Sequence, residues 1–360
     1  MEISIFPIPF KFESKGNEYL NLLYNNVNGG VVGPHSFRVG TCKLKEIWTS
    51  RRRREAEICV IHVHWSRCLY ESRYVLKSIY LLAINFSILA LLKKRYGYKV
   101  YWTMHNFKSH DYPHPSIDWL GRKLLYSITD CIIIQQRGFY EVLSAQRRDK
   151  TFVYMPHGNY VGTYGPVQEA GSMKKQLGFD EEDIIMISLG TVMPYKKIDR
   201  IIEVLNKNDH ILDKRLKLFI AGRCEPEYAN YLLKLTSASH RIVFRNEFVQ
   251  DNDLALYLSV ADYSVFWYDD SVLTSGGLTL SLSYGVPVIA RDIYASDLVQ
   301  RGRNGFLFDT PESLAEILIQ LPTLDKPRQE DVISSVTHLD WQPIANRLMK
   351  VFAGQYLEVY

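Results

Sequence analysis

The sequence predicts an α/β protein with two domains, each a doubly wound parallel sheet. Its 360 residues suffice for two domains of ordinary size, and 47% of them are hydrophobic. Short runs of β-branched residues alternate with segments of helical spacing along the chain, a pattern typical of parallel sheets covered by helices. Several of these runs end in a glycine, a histidine or a cation, and sheets of this class bind ligands at that edge.

The first domain is predicted to span residues 1–165. Its opening strand covers residues 3–9, and residues 17–27 have the apolar spacing of a helix. Further strands are predicted at residues 57–64, 99–104, 131–134 and 151–155. Helical patterns lie between them, so these strands are expected to be parallel neighbours in one sheet.

Three strands of the first domain end in a histidine, at His64, His105 and His157, so we expect these imidazoles to share one polar edge. The loop from His105 to Asp111 adds a further imidazole and a carboxylate. Because such groups can take the proton of a reacting hydroxyl, His105 and Asp111 are the candidate catalytic residues. The alternative is that Asp111 only orients His110 or caps the following turn.

Residues 72–92 contain a long apolar helix with basic residues at both ends. It is interrupted by Lys77, Asn85 and Ser87 and is too short for a membrane span, which needs about 20 apolar residues. The simpler interpretation is a buried helix beside the sheet. The alternative is that one face lies on a bilayer surface, which the flanking basic residues and the four arginines at 51–54 favour. No nucleic-acid-binding module surrounds those arginines.

The second domain is predicted at residues 166–335, after a hinge at 159–166 that contains three glycines or prolines. Its strands are predicted at residues 183–189, 217–222, 242–244, 263–267, 285–290 and 305–308. Helices are predicted at residues 170–177, 198–205, 254–260 and from 274 onward. The last segment, residues 336–360, contains a helix at 341–352.

Cations and free helix N–H groups at the strand ends of the second domain predict a site for a diphosphate. Gly190 and the lysines at 196 and 197 follow the first strand, and Arg223 follows the second. A lysine binds phosphate as a point charge, and an arginine can do so with two parallel hydrogen bonds. Ordinary surface lysines on a capped helix are the alternative.

Two further loops complete this predicted site. Ser275, Gly276 and Gly277 begin a helix whose first turn has no large side chain, so its N–H groups and dipole can hold an anion. Residues 246–253, which include Glu247, Phe248 and Val249, could hold the edge of a nucleobase through backbone groups.

Composition limits the remaining classes. The chain has five cysteines and no CxxC pair, so neither a disulfide framework nor a zinc site is expected. The reducing environment of the cytoplasm is expected instead. The N-terminus lacks the basic region of a signal peptide. Residues 1–165 contain 23 basic and 12 acidic residues, whereas residues 166–360 contain 20 and 27, which suggests that the first half meets an anionic surface or acceptor.

Together these residues resemble the GT-B glycosyltransferases, in particular the family-4-like (group 1) bacterial enzymes that build exopolysaccharide or lipid-linked oligosaccharide. The matching segments in the second half begin at Gly190, Ile220, Ala261, Ser275 and Gly285. Those in the first half are His62–Trp65, Trp102–Asn106 and His157-Gly158. The likeness spans most of the chain. It implies two Rossmann-like domains that face each other across a cleft, with a C-terminal helix that crosses back to the first domain.

The resemblance also implies roles for residues. Lys196 and Arg223 would bind the donor diphosphate, Ser275 and Gly276 would cradle it, and His105 would lie beside the reacting sugar. The full set of donor-side candidates is Gly190, Thr191, Lys196, Lys197, Arg223, Glu247, Phe248, Val249, Asp270, Ser275, Gly276 and Gly277. The candidates on the acceptor side are Asn17, His64, Trp65, Asn106 and His157.

The sequence departs from the family pattern at two places. Many members have an acidic pair, eight residues apart, before the Gly-x-Pro-Val strand, and Val272 and Leu280 occupy those positions here. Asp269 and Asp270 are possible replacements. The polar residue that usually follows the first glycine is Thr191. These departures leave the donor sugar and the stereochemical outcome open.

The expected function is transfer of a hexose from a UDP- or GDP-sugar to a hydroxyl of a glycan or lipid-linked oligosaccharide. No cofactor and no metal are expected, because positive side chains and helix N–H groups would stabilise the leaving diphosphate. The protein is expected in the cytoplasm, with peripheral contact to an anionic membrane and none to nucleic acid. Alternatives are another GT-B enzyme, of the UDP-sugar epimerase or the phosphorylase type, and a catalytically silent sugar-nucleotide-binding partner.

Overall fold

Two parallel sheets form the framework of the protein in a computed structural model, which describes residues 3–9, 18–27, 47, 58–109, 112–170, 173–237, 239–295 and 297–356. The chain divides into two compact units. Unit 1 comprises Met1–Gly158 and Asp340–Tyr360, and unit 2 comprises Asn159–Leu339. The α/β class predicted from the alternating pattern is therefore confirmed.

The sheet of unit 1 has five parallel strands in the order β1-β2-β3-β4-β5. They are β1 Ile3–Ile8, β2 Ile58–Val63, β3 Lys99–Thr103, β4 Cys131–Ile134 and β5 Thr151–Tyr154. Its helices are α1 Tyr19–Asn25, α2 Val75–Tyr96, α3 Pro115–Ile128 and α4 Arg137–Gln146, with a 3₁₀ turn at Ser66–Leu69. All five carboxyl ends lie at one edge, so the residues that follow the strands are brought together.

The C-terminal helix Trp341–Phe352 belongs to unit 1. Its apolar residues recur at helical spacing, and Trp341, Ile344, Leu348 and Phe352 are buried on one face. They pack in one core with α1 and with side chains of β1 to β5. The end of the chain is thus part of the same core as its beginning.

The sheet of unit 2 has six parallel strands in the order β11-β10-β9-β6-β7-β8. They are β6 Ile184–Leu189, β7 Leu216–Ala221, β8 Ile242–Arg245, β9 Tyr263–Phe266, β10 Val288–Arg291 and β11 Gly305–Phe308. The chain starts in the middle at β6, winds outward through β7 and β8, and then returns to β9 on the other side of β6. The order reverses between β6 and β9, and α/β sheets bind ligands at such a switch point.

The helices of unit 2 cover both faces of that sheet. They are α5 Met173–Gln176, α6 Ile198–Lys207, α7 Pro226–Thr236, α8 Asp251–Ser259, α9 Gly276–Ser283, α10 Asp292–Ala295, α11 Pro311–Gln320 and α12 Gln329–Ser334. Two 3₁₀ turns lie at Pro194–Lys196 and Leu321–Thr323. One core joins α6, α7 and α11 on one side, and a second core joins α8 to the other side.

Several predicted boundaries differ from the observed ones. The division between the units falls at Gly158 and Leu339, rather than at 165 and 335. The predicted hinge is bound to unit 2, because the N–H groups of Tyr160 and Tyr164 donate to Ser283 Oγ at 2.9 Å and Tyr284 Oη at 2.7 Å.

The strand predicted at 285–290 begins only at Val288. Gly285 before it has a φ of +75°, a turn conformation that ends α9 instead of opening a strand. The helix predicted at 170–177 is reduced to α5, which is four residues long.

Candidate functional site

The carboxyl edge of the sheet in unit 1 holds a cluster of four histidines, His62, His64, His105 and His157, which we call the histidine cluster. His62 and His64 alternate at the end of β2, so they lie on one face of the strand. The rings of His62 and His64 are 4.1 Å apart, and those of His64 and His105 are 5.7 Å apart and stacked. The strand ends therefore meet as the sequence predicts.

A chain of hydrogen bonds links three of these imidazoles through Tyr24 of α1. Tyr24 Oη lies 2.7 Å from His62 Nδ1 and 2.8 Å from His64 Nε2. His62 Nε2 reaches Thr103 Oγ1 at 2.8 Å, and His64 Nδ1 lies 3.5 Å from His105 Nε2. The chain runs from the interior of the sheet to His105, which is partly exposed.

Burial keeps all four imidazoles neutral, because it penalises the charged form. It lowers the pKa of His62 and of His105 to about 3, that of His157 to about 4, and that of His64 well below its ordinary value. Neighbouring imidazoles lower the pKa values of His62, His64 and His105 further. At neutral pH each ring thus offers one hydrogen-bond donor and one acceptor.

Aromatic side chains surround the histidine cluster. The ring of Tyr19 lies 5.5 Å from His64, 5.1 Å from His105 and 5.0 Å from His157. Trp65 stacks on His105 at 5.1 Å. Trp341 contacts both Tyr19 and His157, at 5.5 and 5.6 Å. This edge therefore combines apolar ring faces with polar imidazole nitrogens, a combination that suits a sugar.

The structure brings together His64, Trp65, His105 and His157, as predicted, and Asn106 follows directly after His105. The candidates Asn17 and Asp111 lie outside the described residues. A base at Asp111 therefore stays a prediction.

His62, Gln135, Tyr19 and Tyr24 belong to this edge but were not among the predicted site residues. Gln135 follows β4 and donates from Nε2 to Tyr19 Oη at 3.1 Å, and it also contacts His105 and opposes the fall of its pKa. Its position directly after a strand is the signal that could have identified it. Tyr19 and Tyr24 lie in the helix that the sequence predicts, but nothing in their spacing shows that they face histidines.

In unit 2, the loops that follow β8, β7, β6 and β9 contact one another in a row. Asn246 Oδ1 accepts from the Cys224 N–H at 2.8 Å, and the Val192 N–H donates to the Arg223 carbonyl at 2.8 Å. The Asp269 N–H donates to the Tyr195 carbonyl at 2.8 Å. Glycine is required in this row, because a Cβ on Gly222 would lie 2.0 Å from the Gly190 carbonyl oxygen.

Lys196 ends the 3₁₀ turn after β6, beside the switch point. Its Nζ lies 3.6 Å from where a Cβ of Gly190 would be, and Gly190 has a φ of +90° that favours glycine. Burial lowers the pKa of the Lys196 ammonium to about 8. No carboxylate of the described residues pairs with it. A partly buried ammonium in this state is suited to an anion.

The N-terminus of α9 lies across the switch point, after β9. Ser275 is its N-cap, and its Oγ accepts from the Leu278 N–H at 3.1 Å. The same hydroxyl donates to Tyr268 Oη at 3.3 Å. Gly276 and Gly277 form the first turn, and a Cβ on Gly277 would contact Phe266 and Tyr268. The first turn thus keeps the free N–H groups and small side chains that an anion requires.

The other donor-side candidates have varied environments. Thr191 and Arg223 are exposed, and Arg223 forms no ion pair with any described carboxylate. Lys197 has a φ of +49° and precedes α6. Asp270 pairs with Arg291.

The predicted nucleobase loop has three distinct side chains. Glu247 accepts from Tyr257 Oη at 3.1 Å, and Phe248 is exposed. Val249 is buried in the core beside α8, so only its backbone could face a ligand. Val272 and Leu280 occupy the two positions at which many family members have the acidic pair. Val272 packs in one hydrophobic core and Leu280 packs against another.

No group of three or more His, Cys, Asp or Glu side chains that could hold a metal ion occurs in the described part of the chain. In the same part of the chain, Cys131 and Cys224 are free thiols.

Comparison with known proteins gives a family match within unit 2. Residues 170–335 match the model of the family described as glycosyl transferases group 1. No curated protein matches the sequence significantly.

Solved structures share the fold over nearly the whole chain. HepE of Anabaena in complex with UDP-glucose has a TM-score of 0.68 at 14% identity, over 98% of this chain and 100% of that one. Sucrose-phosphate synthase from Thermosynechococcus elongatus has a TM-score of 0.66 at 14% identity, over 89% and 81%. The pneumococcal O-GlcNAc transferase GtfA, in complex with UDP and GlcNAc, has a TM-score of 0.55 at 14% identity, over 83% and 57%.

Three observations agree on the fold. They are the Rossmann-like units predicted from the sequence, the switch point of unit 2 and these structural matches. The chain has the GT-B fold, and its residues 170–335 match the model of the glycosyl transferases group 1 family.

Proposed function

We propose that this protein transfers a hexose from a UDP-sugar to a hydroxyl of a glycan or lipid-linked oligosaccharide during polysaccharide synthesis, without a metal ion. The observation that supports this most directly is the row of loops at the switch point of unit 2. There the Lys196 ammonium, which no described carboxylate pairs, the exposed Arg223 and the α9 N-terminus supply positive charge and N–H groups for a diphosphate.

The choice of UDP over GDP rests on the structural relatives. HepE was solved with UDP-glucose, and GtfA with UDP and GlcNAc. Group 1 enzymes use a nucleotide sugar as substrate and need no cofactor. Cationic side chains and helix N–H groups would stabilise the leaving diphosphate in place of a metal.

In unit 1 we propose that His105 contacts the reacting sugar or its acceptor. It is the partly exposed end of the hydrogen-bonded chain, and its ring is neutral at pH 7. A neutral imidazole can accept a hydrogen bond from a hydroxyl or donate one to it. A lipid-linked acceptor would place the reaction at the cytoplasmic face of the membrane.

Binding of nucleotides tests the donor proposal. Calorimetric titrations with UDP, GDP and ADP are expected to show tightest binding of UDP. Lys196→Ala and Arg223→Ala should each weaken UDP binding by about 1.5–3 kcal/mol, the value of a hydrogen bond to a charged group. Lys207→Ala is the matched control, because Lys207 is an exposed lysine at the far end of α6.

Unchanged UDP affinity in both variants would contradict the donor site. Product analysis separates the remaining activities. Release of free sugar or of an epimer from UDP-sugar in the absence of an acceptor would indicate an epimerase-type enzyme. UDP binding without turnover on any hydroxyl acceptor would indicate a silent binding partner.

A further inference from the structure

Helix α2 is apolar on all sides, yet the described residues bury only one of its faces. It is the one helix of the described residues that is long and apolar enough to cross a membrane by length and composition, and 39% of its most apolar window is buried. A helix that is apolar all round is normally covered completely, by protein or by lipid. The face of α2 that the described residues leave uncovered is therefore a candidate binding surface.

We propose that this face, together with the adjoining face of α3, docks on the surface of an anionic lipid bilayer. Leu76, Ile79, Tyr80 and Leu91 are exposed on α2, where they recur at helical spacing. The exposed fractions reach 82% for Leu76 and 60% for Tyr80. On α3, which packs against α2, Trp119 and Leu120 are exposed. We call these six residues the α2–α3 face.

The opposite side of α2 is fixed to unit 1, which excludes a span and leaves a surface contact. Asn85 Nδ2 donates to the Leu69 carbonyl at 2.6 Å, and Tyr112 Oη donates to Ser78 Oγ at 2.7 Å. Lys93 pairs with Asp130 at 2.8 Å. A helix that crossed the bilayer would have to give up these contacts. A helix that lies in the interface keeps them and buries only its apolar face.

The positive charge of the two helices favours an anionic bilayer as the binding partner. Helix α2 contains Lys77, Lys93, Lys94 and Arg95 and no acidic residue. The acidic residue of α3, Asp118, is buried and bonded to Tyr70, Ser109 and Arg122. Neither helix therefore exposes a carboxylate, whereas Lys77, Lys94 and Arg95 are exposed. Long basic side chains beside apolar ones can reach lipid phosphates while the apolar residues enter the acyl boundary.

The exposed aromatic residues fit the same occupant. Tyr80 and Trp119 have an apolar ring and a polar tip, and such residues are enriched at the level of the headgroups. Lys123 lies 4.9 Å from the Trp119 ring, and Arg73 lies 4.6 Å from the ring of the exposed Tyr74. A buried interface between protein chains would instead have to desolvate these cations.

The proposed function gives docking its purpose, because docking would bring the protein to a lipid-linked acceptor. In this respect alone the docking proposal rests on the proposed function. The docking itself can be measured without any transfer assay, so each can fail alone. The full chain should float with vesicles of equal parts phosphatidylglycerol and phosphatidylcholine at 0.1 M salt. It should not float with pure phosphatidylcholine, and it should float much less at 1 M salt, because the Debye length shrinks from about 10 Å to about 3 Å.

Two pairs of variants test the α2–α3 face directly. Leu76→Glu combined with Tyr80→Glu should weaken vesicle binding about tenfold or more, because a charge replaces each inserted apolar group. The matched control is Leu233→Glu, at a half-exposed leucine on α7 of unit 2. Lys94→Glu with Arg95→Glu should also weaken binding about tenfold or more, while Lys207→Glu with Lys234→Glu should not.

Circular dichroism and thermal unfolding of the same preparations show that each variant is folded. Trp119 gives a second readout, since its fluorescence should shift to shorter wavelength on anionic vesicles, and Trp119→Phe should lose that shift. The proposal is overturned if the wild type stays unbound at low salt, or if Leu76→Glu with Tyr80→Glu binds as well as the wild type. Light scattering that finds a lipid-free dimer, separated by the same double variant, would assign the face to a second copy of the chain.

Discussion

The two clusters differ in how their charges are set. In unit 1 burial and neighbouring imidazoles keep four histidines neutral, whereas in unit 2 a single partly buried lysine remains unpaired by any described carboxylate. Neutral imidazoles suit hydroxyl groups, and a desolvated ammonium suits a phosphate. The proposed function needs both environments, one for the acceptor hydroxyl and one for the donor diphosphate.

The pKa of Lys196 gives the proposed donor site a characteristic pH dependence. With a pKa of about 8 in the free protein, the ammonium is present below pH 8 and is lost above it. UDP requires the charged form, so above pH 8 binding must take up a proton, and the affinity should fall by up to about tenfold per pH unit.

Isothermal titration of UDP between pH 7 and 10 measures this effect. Lys196→Arg should show a flatter profile over the same range, because a guanidinium stays charged. If both proteins lose affinity in parallel above pH 8, another group is responsible for the loss.

The hydroxyl of Tyr24 should contribute to stability in addition to its buried ring. Tyr24→Phe retains the ring but removes the group shared by His62 Nδ1 and His64 Nε2. Two buried nitrogens would then lose a partner, at about 1–3 kcal/mol each. Urea unfolding of unit 1 should show this loss. Tyr140→Phe, at a partly exposed tyrosine of α4, is a suitable control, and an equal loss there would mean that the bridge contributes nothing.

Acid should unfold unit 1 through the histidine cluster. Three of its imidazoles have pKa values of about 3 to 4 when folded, against about 6.5 when unfolded. The unfolded state therefore binds more protons between pH 6.5 and 4, and stability is present above pH 6.5 and decreases as the pH falls. Each such imidazole contributes a slope of about 1.4 kcal/mol per pH unit.

Denaturation at pH 7, 6, 5 and 4 should show this slope. His157→Gln should reduce the slope by the contribution of one imidazole. A stability of unit 1 that stays constant from pH 7 to pH 4 would contradict burial of neutral histidines.

At the scale of elements, the strand ends could be predicted from the sequence and the partners across the sheet could not. His64, His105 and His157 each follow an apolar run, which is a local pattern. Tyr24 and Gln135 meet them only because α1 and β4 pack beside β2 and β3, and no local spacing reports that packing. For the same reason α2 was expected to be covered. Its composition is that of a core helix, and only the fold shows that nothing in the described residues covers one face.

The contact between the loops after β6 and β7 makes Gly222 a strict requirement. A Cβ there would lie 2.0 Å from a backbone oxygen of Gly190 and would force the two loops apart. Gly222→Ala should weaken UDP binding at least tenfold, because it displaces the turn that holds Lys196. Gly302→Ala is the control, since a Cβ there meets nothing within 4 Å, although its positive φ adds strain. Equal UDP affinity in the wild type and Gly222→Ala would show that the loops adjust.

At the scale of the whole molecule, the two units were predictable from the alternating pattern, but their boundaries required long-range contacts. The C-terminal helix is distant in sequence from α1, yet both contribute to one core, and Gly158 approaches Trp341 so closely that a Cβ would lie 2.3 Å from its ring. Such a closure of the chain leaves no local signature, so the boundary at Gly158 could not be placed from the sequence.

This division into units predicts which sheet each cavity-forming substitution destabilises. Leu348 and Leu318 are fully buried in the cores of unit 1 and unit 2 respectively, and Leu→Ala at such sites costs about 2–5 kcal/mol. In hydrogen exchange, Leu348→Ala should accelerate exchange in β1, β2 and β3 and leave β6 and β7 protected, and Leu318→Ala should do the reverse. UDP at 100 times its dissociation constant adds about 2.7 kcal/mol, and this protection should appear in unit 2 alone. Equal acceleration of both sheets by either variant would show that the whole chain unfolds as a single cooperative unit.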